Sequence, residues 1–108
     1  MSAFFIHHRS EITDPERLKQ YRDGIGDTIR KYGGHVLVRA DGFDVLEGDW
    51  HTGERGDDSE PERVTVIQFS DMASLKAWYN SPEYAPLKEI RQESEVGDAI
   101  AVESGRTP

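Results

Sequence analysis

Apolar and polar positions alternate along this chain in two distinct rhythms. Phe4 to Ile12 opens as a strand with Phe4, Phe5 and Ile6 as its apolar nucleus. Leu18, Tyr21, Ile25, Ile29 and Tyr32 then follow at spacings of three, four, four and three, one face of a helix. The spacing predicts a helix over residues 15–32. Thr13 as N-cap with Glu16 three residues on fits a capping box, and Pro15 suits a first turn, where its missing N–H costs nothing. Gly33-Gly34 ends the helix.

The period then falls to two. His35-Val36-Leu37-Val38-Arg39 reads as a strand and Ala40-Asp41-Gly42 as a turn. Phe43 to Glu47 reads as a second short strand or a continuation. Residues 48–61 are irregular. Val64 to Phe69, rich in β-branched residues, is the clearest strand. Ser70-Asp71 caps a second helix whose apolar face is Met72, Leu75, Trp78 and Tyr79. Ser81-Pro82-Glu83 opens a third helical piece over 82–93, with Tyr84, Leu87 and Ile90 apolar. Ala99 to Val102 is the last strand, and 104–108 a polar tail. The order is β-α-β-β-α-β with one added strand and one added helical piece. This is an α+β, ferredoxin-like pattern with an antiparallel sheet. Helices cover one face of such a sheet, and a second copy of the same chain is the simplest cover for the other.

Composition narrows the function. At 108 residues the chain reads as one domain spanning 1–108. It has no cysteine, which excludes disulfides, thiolate metal sites and cysteine nucleophiles. The formal charge is −8, and no basic cluster offsets it, so nucleic acid and anionic membrane are poor partners. No apolar run approaches the roughly 20 residues of a membrane span. The N-terminus lacks a basic region followed by a long apolar one, so no signal peptide is read and a cytoplasmic location is expected. Much of the acidity is local. Between residues 54 and 62, five acids face one arginine, a sum of −4. This acidic loop, 51–62, is expected to be mobile. It lacks the spacing of a calcium-binding loop.

Several segments together resemble the DUF1330 family, small proteins within the dimeric α/β-barrel superfamily. They are Thr13-Asp14-Pro15, Tyr21, Gly33-Gly34, Val36-Leu37-Val38-Arg39, Val45-Leu46-Glu47-Gly48-Asp49-Trp50, Val64 to Phe69, Ala77-Trp78-Tyr79-Asn80-Ser81-Pro82-Glu83-Tyr84 and Arg91. The loop after Trp50 is longer and more acidic than the family's usual link. The resemblance implies a ferredoxin-like fold pairing as a dimeric α/β barrel, a homodimer, and a pocket between sheet and helices. It implies no particular reaction.

The ionisable residues supply the chemistry. His7 and His8 are neighbours on a strand, so only one of them can face a pocket. No histidine spacing suits a metal, and no metal or other cofactor is expected. His35, Leu37 and Arg39 share a face by the period of two. His35 is the best general base by its pKa, or a solvated residue at a strand start. Arg39 is permanently charged. It either pairs with Glu47 across strands or clamps a carboxylate or enolate. Trp78 reads as core. Trp50 and Tyr79 are candidates to shape a pocket for a small-molecule ligand, with Glu47 beside them.

Two functions follow. One is a cofactor-independent enzyme acting on a small organic acid or aromatic substrate, with His35 shuttling a proton and Arg39 stabilising the anion. That analogy extends from related barrel families, among them cofactor-independent monooxygenases. The other is a non-catalytic ligand-binding or stress-related dimer. His35 and Arg39 both turned to solvent would favour the second.

Overall fold

The computed structural model describes residues 2–48, 50 and 62–105. Strand β1 (Ala3–Ile12) leads into helix α1 (Pro15–Lys31) and strand β2 (His35–Asp41). Strand β3 (Arg63–Phe69), helices α2 (Met72–Tyr79) and α3 (Ala85–Ser94), and strand β4 (Glu95–Glu103) follow. The four strands form one antiparallel sheet in the order β2-β3-β1-β4. This is the ferredoxin-like arrangement, with α3 as the added helical piece.

Helix boundaries follow local chemistry. The α1 cap is Asp14 rather than Thr13: the Asp14 carboxylate accepts from the Arg17 N–H at 3.1 Å. Thr13 is instead drawn to the end of α3, donating its N–H to Ser94 O at 2.8 Å. At the other end of α1, Gly33 takes φ +78°. Gly33 and Gly34 donate to Arg30 O and Ile29 O, which closes the helix's open carbonyls. Asp71 caps α2 through Ser74 N–H. Ser81 Oγ accepts from Tyr84 N–H, as its cap role predicts, but residues 82–84 form a turn and α3 proper starts at Ala85.

Two strand expectations change. Residues 43–47 form no strand among the described residues. Gly42, at φ +81°, turns the chain away, and its N–H goes to Glu62 O at 2.6 Å. The last strand is longer than 99–102, because β4 pairs with β1 from Ala3↔Glu103 to Ile12↔Glu95. Residues 51–61, which hold most of the acidic loop and His51, lie outside the described residues.

The sheet has two unlike faces. Ala3, Phe5, His7 and Arg9 of β1 stand opposite Phe69, Ile67, Thr65 and Arg63 of β3. This face packs against the helices. Its core joins Phe5, Ile67 and Phe69 to Ile25, Ile29, Leu75, Trp78 and Tyr84. Trp78 and Tyr84 stack with centroids 4.2 Å apart, both wholly buried. The Trp78 indole N–H donates to Thr28 Oγ1 at 3.0 Å, so the buried ring leaves no donor unmet. The opposite face carries Phe4, Ile6 and His8, and exposes Val38, Val96, Ile100 and Val102.

Candidate functional site

A cavity of about 140 Å³ lies between α1 and the helix-facing side of the sheet. Phe5 and Ile67 from the sheet and Leu18, Ile25 and Ile29 from α1 give it an apolar body. Its charged and imidazole lining among the described residues is His7, Arg9, Arg22, Arg39, Arg63 and Glu95, beside the hydroxyls of Tyr21 and Thr65. The alternation in β1 places His7 and Arg9 there together with Phe5, and it turns His8 to the other face.

His7 is the centre of a buried polar network. Its Nε2 stands 2.8 Å from Glu95 Oε1 and 3.4 Å from Arg91 Nη1. Arg91 lies 3.6 Å from the same Glu95 oxygen, and its Nε donates to the Tyr84 hydroxyl at 3.3 Å. Tyr84 in turn meets the Tyr21 hydroxyl at 3.2 Å. Burial pushes both phenols up, Tyr21 the further, so both stay protonated at neutral pH. Among the described residues, Nδ1 of His7 has no protein partner. Arg91 can only donate to Nε2, whereas pairing with Glu95 needs a proton there; the Nε2-protonated tautomer, the one that pairs with Glu95, leaves the Nδ1 lone pair to a ligand.

The cationic wall is built from both layers. Arg63 donates to Asp41 through Nε at 2.6 Å and Nη2 at 3.1 Å, which holds the Asp41 carboxyl below its usual range. Burial, followed by the charge of nearby Arg63, lowers the pKa of Arg9. Arg39, on β2, lines the cavity while remaining exposed. The Arg39–Glu47 pair is not formed, and among the described residues Arg39 has no ion-pair partner.

The sequence-predicted residues do not converge. Between Val36 and Val38 the β2–β3 register shifts, so Leu37 is an irregularity in the ladder. His35 therefore stands opposite Gln68, on the open face, whereas Arg39 stands opposite Thr65, on the cavity face. Trp50 also lies on the open side, edge-on to His8 at 5.2 Å, in a groove with Ile6, Val96 and Ile100. Tyr79 lines a third groove, between α2 and β4, beneath the Lys88 ammonium 4.2 Å from its ring. Glu47 is exposed. The period of β1 carries the signal for His7 and Arg9. Nothing in the spacing brings Glu95, at the α3–β4 junction, to His7. Among the described residues no group of three or more metal-ligating side chains gathers.

The family model described as a domain of unknown function, DUF1330, matches residues 2–104. No curated protein matches the sequence. Solved structures share the fold. SnoaB, a cofactor-independent oxygenase from Streptomyces nogalater, superposes with a TM-score of 0.64 at 9% identity, covering 98% of this chain and 95% of its own. A protein of unknown function from Rhodopseudomonas palustris gives 0.66 at 16% identity, covering 98% and 84%. A dimeric ferredoxin-like protein of unknown function from Jannaschia sp. CCS1 gives 0.62 at 12% identity, covering 96% and 100%. At these identities the likeness is one of fold.

Proposed function

The chain belongs to the DUF1330 family, and from that premise we propose that it is a homodimeric, cofactor-independent α/β-barrel enzyme performing acid–base chemistry on a small organic acid. The observation that carries this reading is the pairing, in one cavity, of a buried histidine–carboxylate couple with an arginine that has no ion-pair partner among the described residues. Arg39 holds the substrate carboxylate at the mouth. His7 Nδ1 takes a proton from the bound acid, and Glu95 steadies the imidazolium that forms, 2.8 Å from Nε2. Arg39 then faces the anion left behind. His7 thus takes the role that the sequence suggested for His35, and Arg39 keeps its own.

The open face of the sheet supports the dimer. Ile100 is 57% and Val96 50% exposed there, along edge strand β4 with Val102, and Val38 is exposed on the opposite edge strand β2. A second copy laying the same face against it buries all four. Trp50 then belongs to the dimer side rather than to the substrate.

Two observations favour the alternative, a non-catalytic binding dimer, and the first is that His35 and Arg39 are both exposed. The second is that Arg91 and Glu95 both engage His7 Nε2, an arrangement that also serves as a closed structural network. One experiment separates the two. Small carboxylic acids are screened by thermal shift, and an acid that binds is incubated with the protein in D2O and followed by NMR. The enzyme reading expects exchange of its acidic C–H, lost in His7→Gln while binding persists, with binding lost in Arg39→Met. Binding without exchange establishes the alternative.

A further inference from the structure

Resting on that reading of the cavity, we propose that its ligand carries two negative charges on a body about the size of one ring, gripped by Arg22 from α1 and Arg39 from β2. Of the seven arginines among the described residues four line this cavity, and no lysine does, although the chain as a whole carries −8. Arginine's planar fork suits two-point binding of carboxylate or phosphate oxygens in a way that an ammonium does not.

Two acids beside this wall, Asp41 and Glu95, are already paired. Asp41 is taken by Arg63. Glu95 lies between His7 and Arg91. Elsewhere Arg17 pairs with Glu93, and Arg30 with Asp27. Among the described residues Arg22 and Arg39 have no ion-pair partner, and both line the cavity, one on each wall. Arg9 lies on the same wall, and crowding by the Arg63 and Arg22 charges adds to burial in lowering its pKa. A ligand with one negative charge answers one guanidinium. A dianion answers both. The volume of about 140 Å³ sets the body, because an apolar protein cavity of roughly 150 Å³ takes up benzene.

The test is calorimetric titration of the full chain at pH 8 and low salt with three single-ring probes. Benzoate carries one charge. Phenyl phosphate and phthalate carry two, the phosphate monoester being doubly ionised above a second pKa of about 6. The expected result is that at least one dianion binds about tenfold more tightly than benzoate, as one added hydrogen bond between charged groups would give. Which dianion wins identifies phosphate or dicarboxylate as the head group. Arg22→Met collapses that difference, whereas the control Arg30→Met, on the outer side of α1, leaves it. Circular dichroism confirms that each variant is folded. Benzoate binding as tightly as both dianions, with Arg39→Met weakening it, overturns the dianion proposal and leaves the organic-acid pocket standing. Failure of all three probes to bind, or indifference of all three to Arg39→Met, overturns both.

Discussion

His7 Nε2 stands 2.8 Å from Glu95 Oε1, with both side chains almost wholly withdrawn from water. The two residues come from opposite ends of the chain. They meet because β4 pairs with β1 along nearly its whole length, and Glu95 begins that strand. Arg91, one helical turn earlier on α3, reaches the same carboxylate. The network therefore ties β1, α3 and β4 together as well as lining the cavity.

Glu95→Gln keeps the shape and removes the charge. Arg91 is then left buried without its anion, and His7 loses the carboxylate 2.8 Å from its Nε2. The expected cost is about 1–3 kcal/mol of stability in urea unfolding. Proton exchange of a bound acid in D2O falls with it. A variant as stable and as active as the parent would remove Glu95 from the account.

The open face predicts the assembly state. Ile100→Asp places a carboxylate on β4 between the exposed Val96 and Val102. Light scattering on the eluting protein is expected to give a dimer for the parent and a monomer for the variant. A parent that elutes as a monomer at every concentration contradicts the pairing of these faces.

The core offers a separate check. Thr28→Val is nearly isosteric but leaves the buried Trp78 N–H without its acceptor. It is expected to cost about 1–3 kcal/mol in chemical denaturation, with no change in ligand affinity.

The C-terminal end of α1 is tethered by charge. Lys31 and the Tyr32 hydroxyl both donate to the Glu83 carboxylate, which lowers its pKa from 4.5 to about 2. A carboxyl whose folded pKa is depressed stabilises the fold fully above its unfolded value. That contribution fades as pH falls through the folded one. The melting temperature of the parent should therefore exceed that of Glu83→Gln by a constant margin above pH 4.5. The margin should close between pH 4.5 and about 2.

Much of this was legible in the residues. The three-and-four spacing from Leu18 to Tyr32 marks α1, and the Val64–Phe69 run marks β3. Asp71 and Ser81 cap where their chemistry says they should. Arg39 is on the cavity wall. His35 was misplaced because a period of two cannot anticipate a register shift, and the shift at Leu37 turns His35 and Arg39 onto opposite faces. The strand expected at 43–47 has the right residues but no neighbouring strand among the described residues to pair with. The neighbours of His7 were not legible, since Arg91 and Glu95 reach it only through the antiparallel closure of β4 on β1.

The central claim is that the α1–sheet cavity receives the ligand, with Arg39 at its mouth and His7 within. Titration of isotope-labelled protein with benzoate, followed residue by residue in nitrogen–proton NMR spectra, tests it most directly. Amide shifts concentrated at His7, Ile25, Arg39 and Ile67, abolished by Arg39→Met and retained in His35→Ala, are the predicted result. Shifts confined to the open face, at His8, Trp50, Val96 and Ile100, would contradict it.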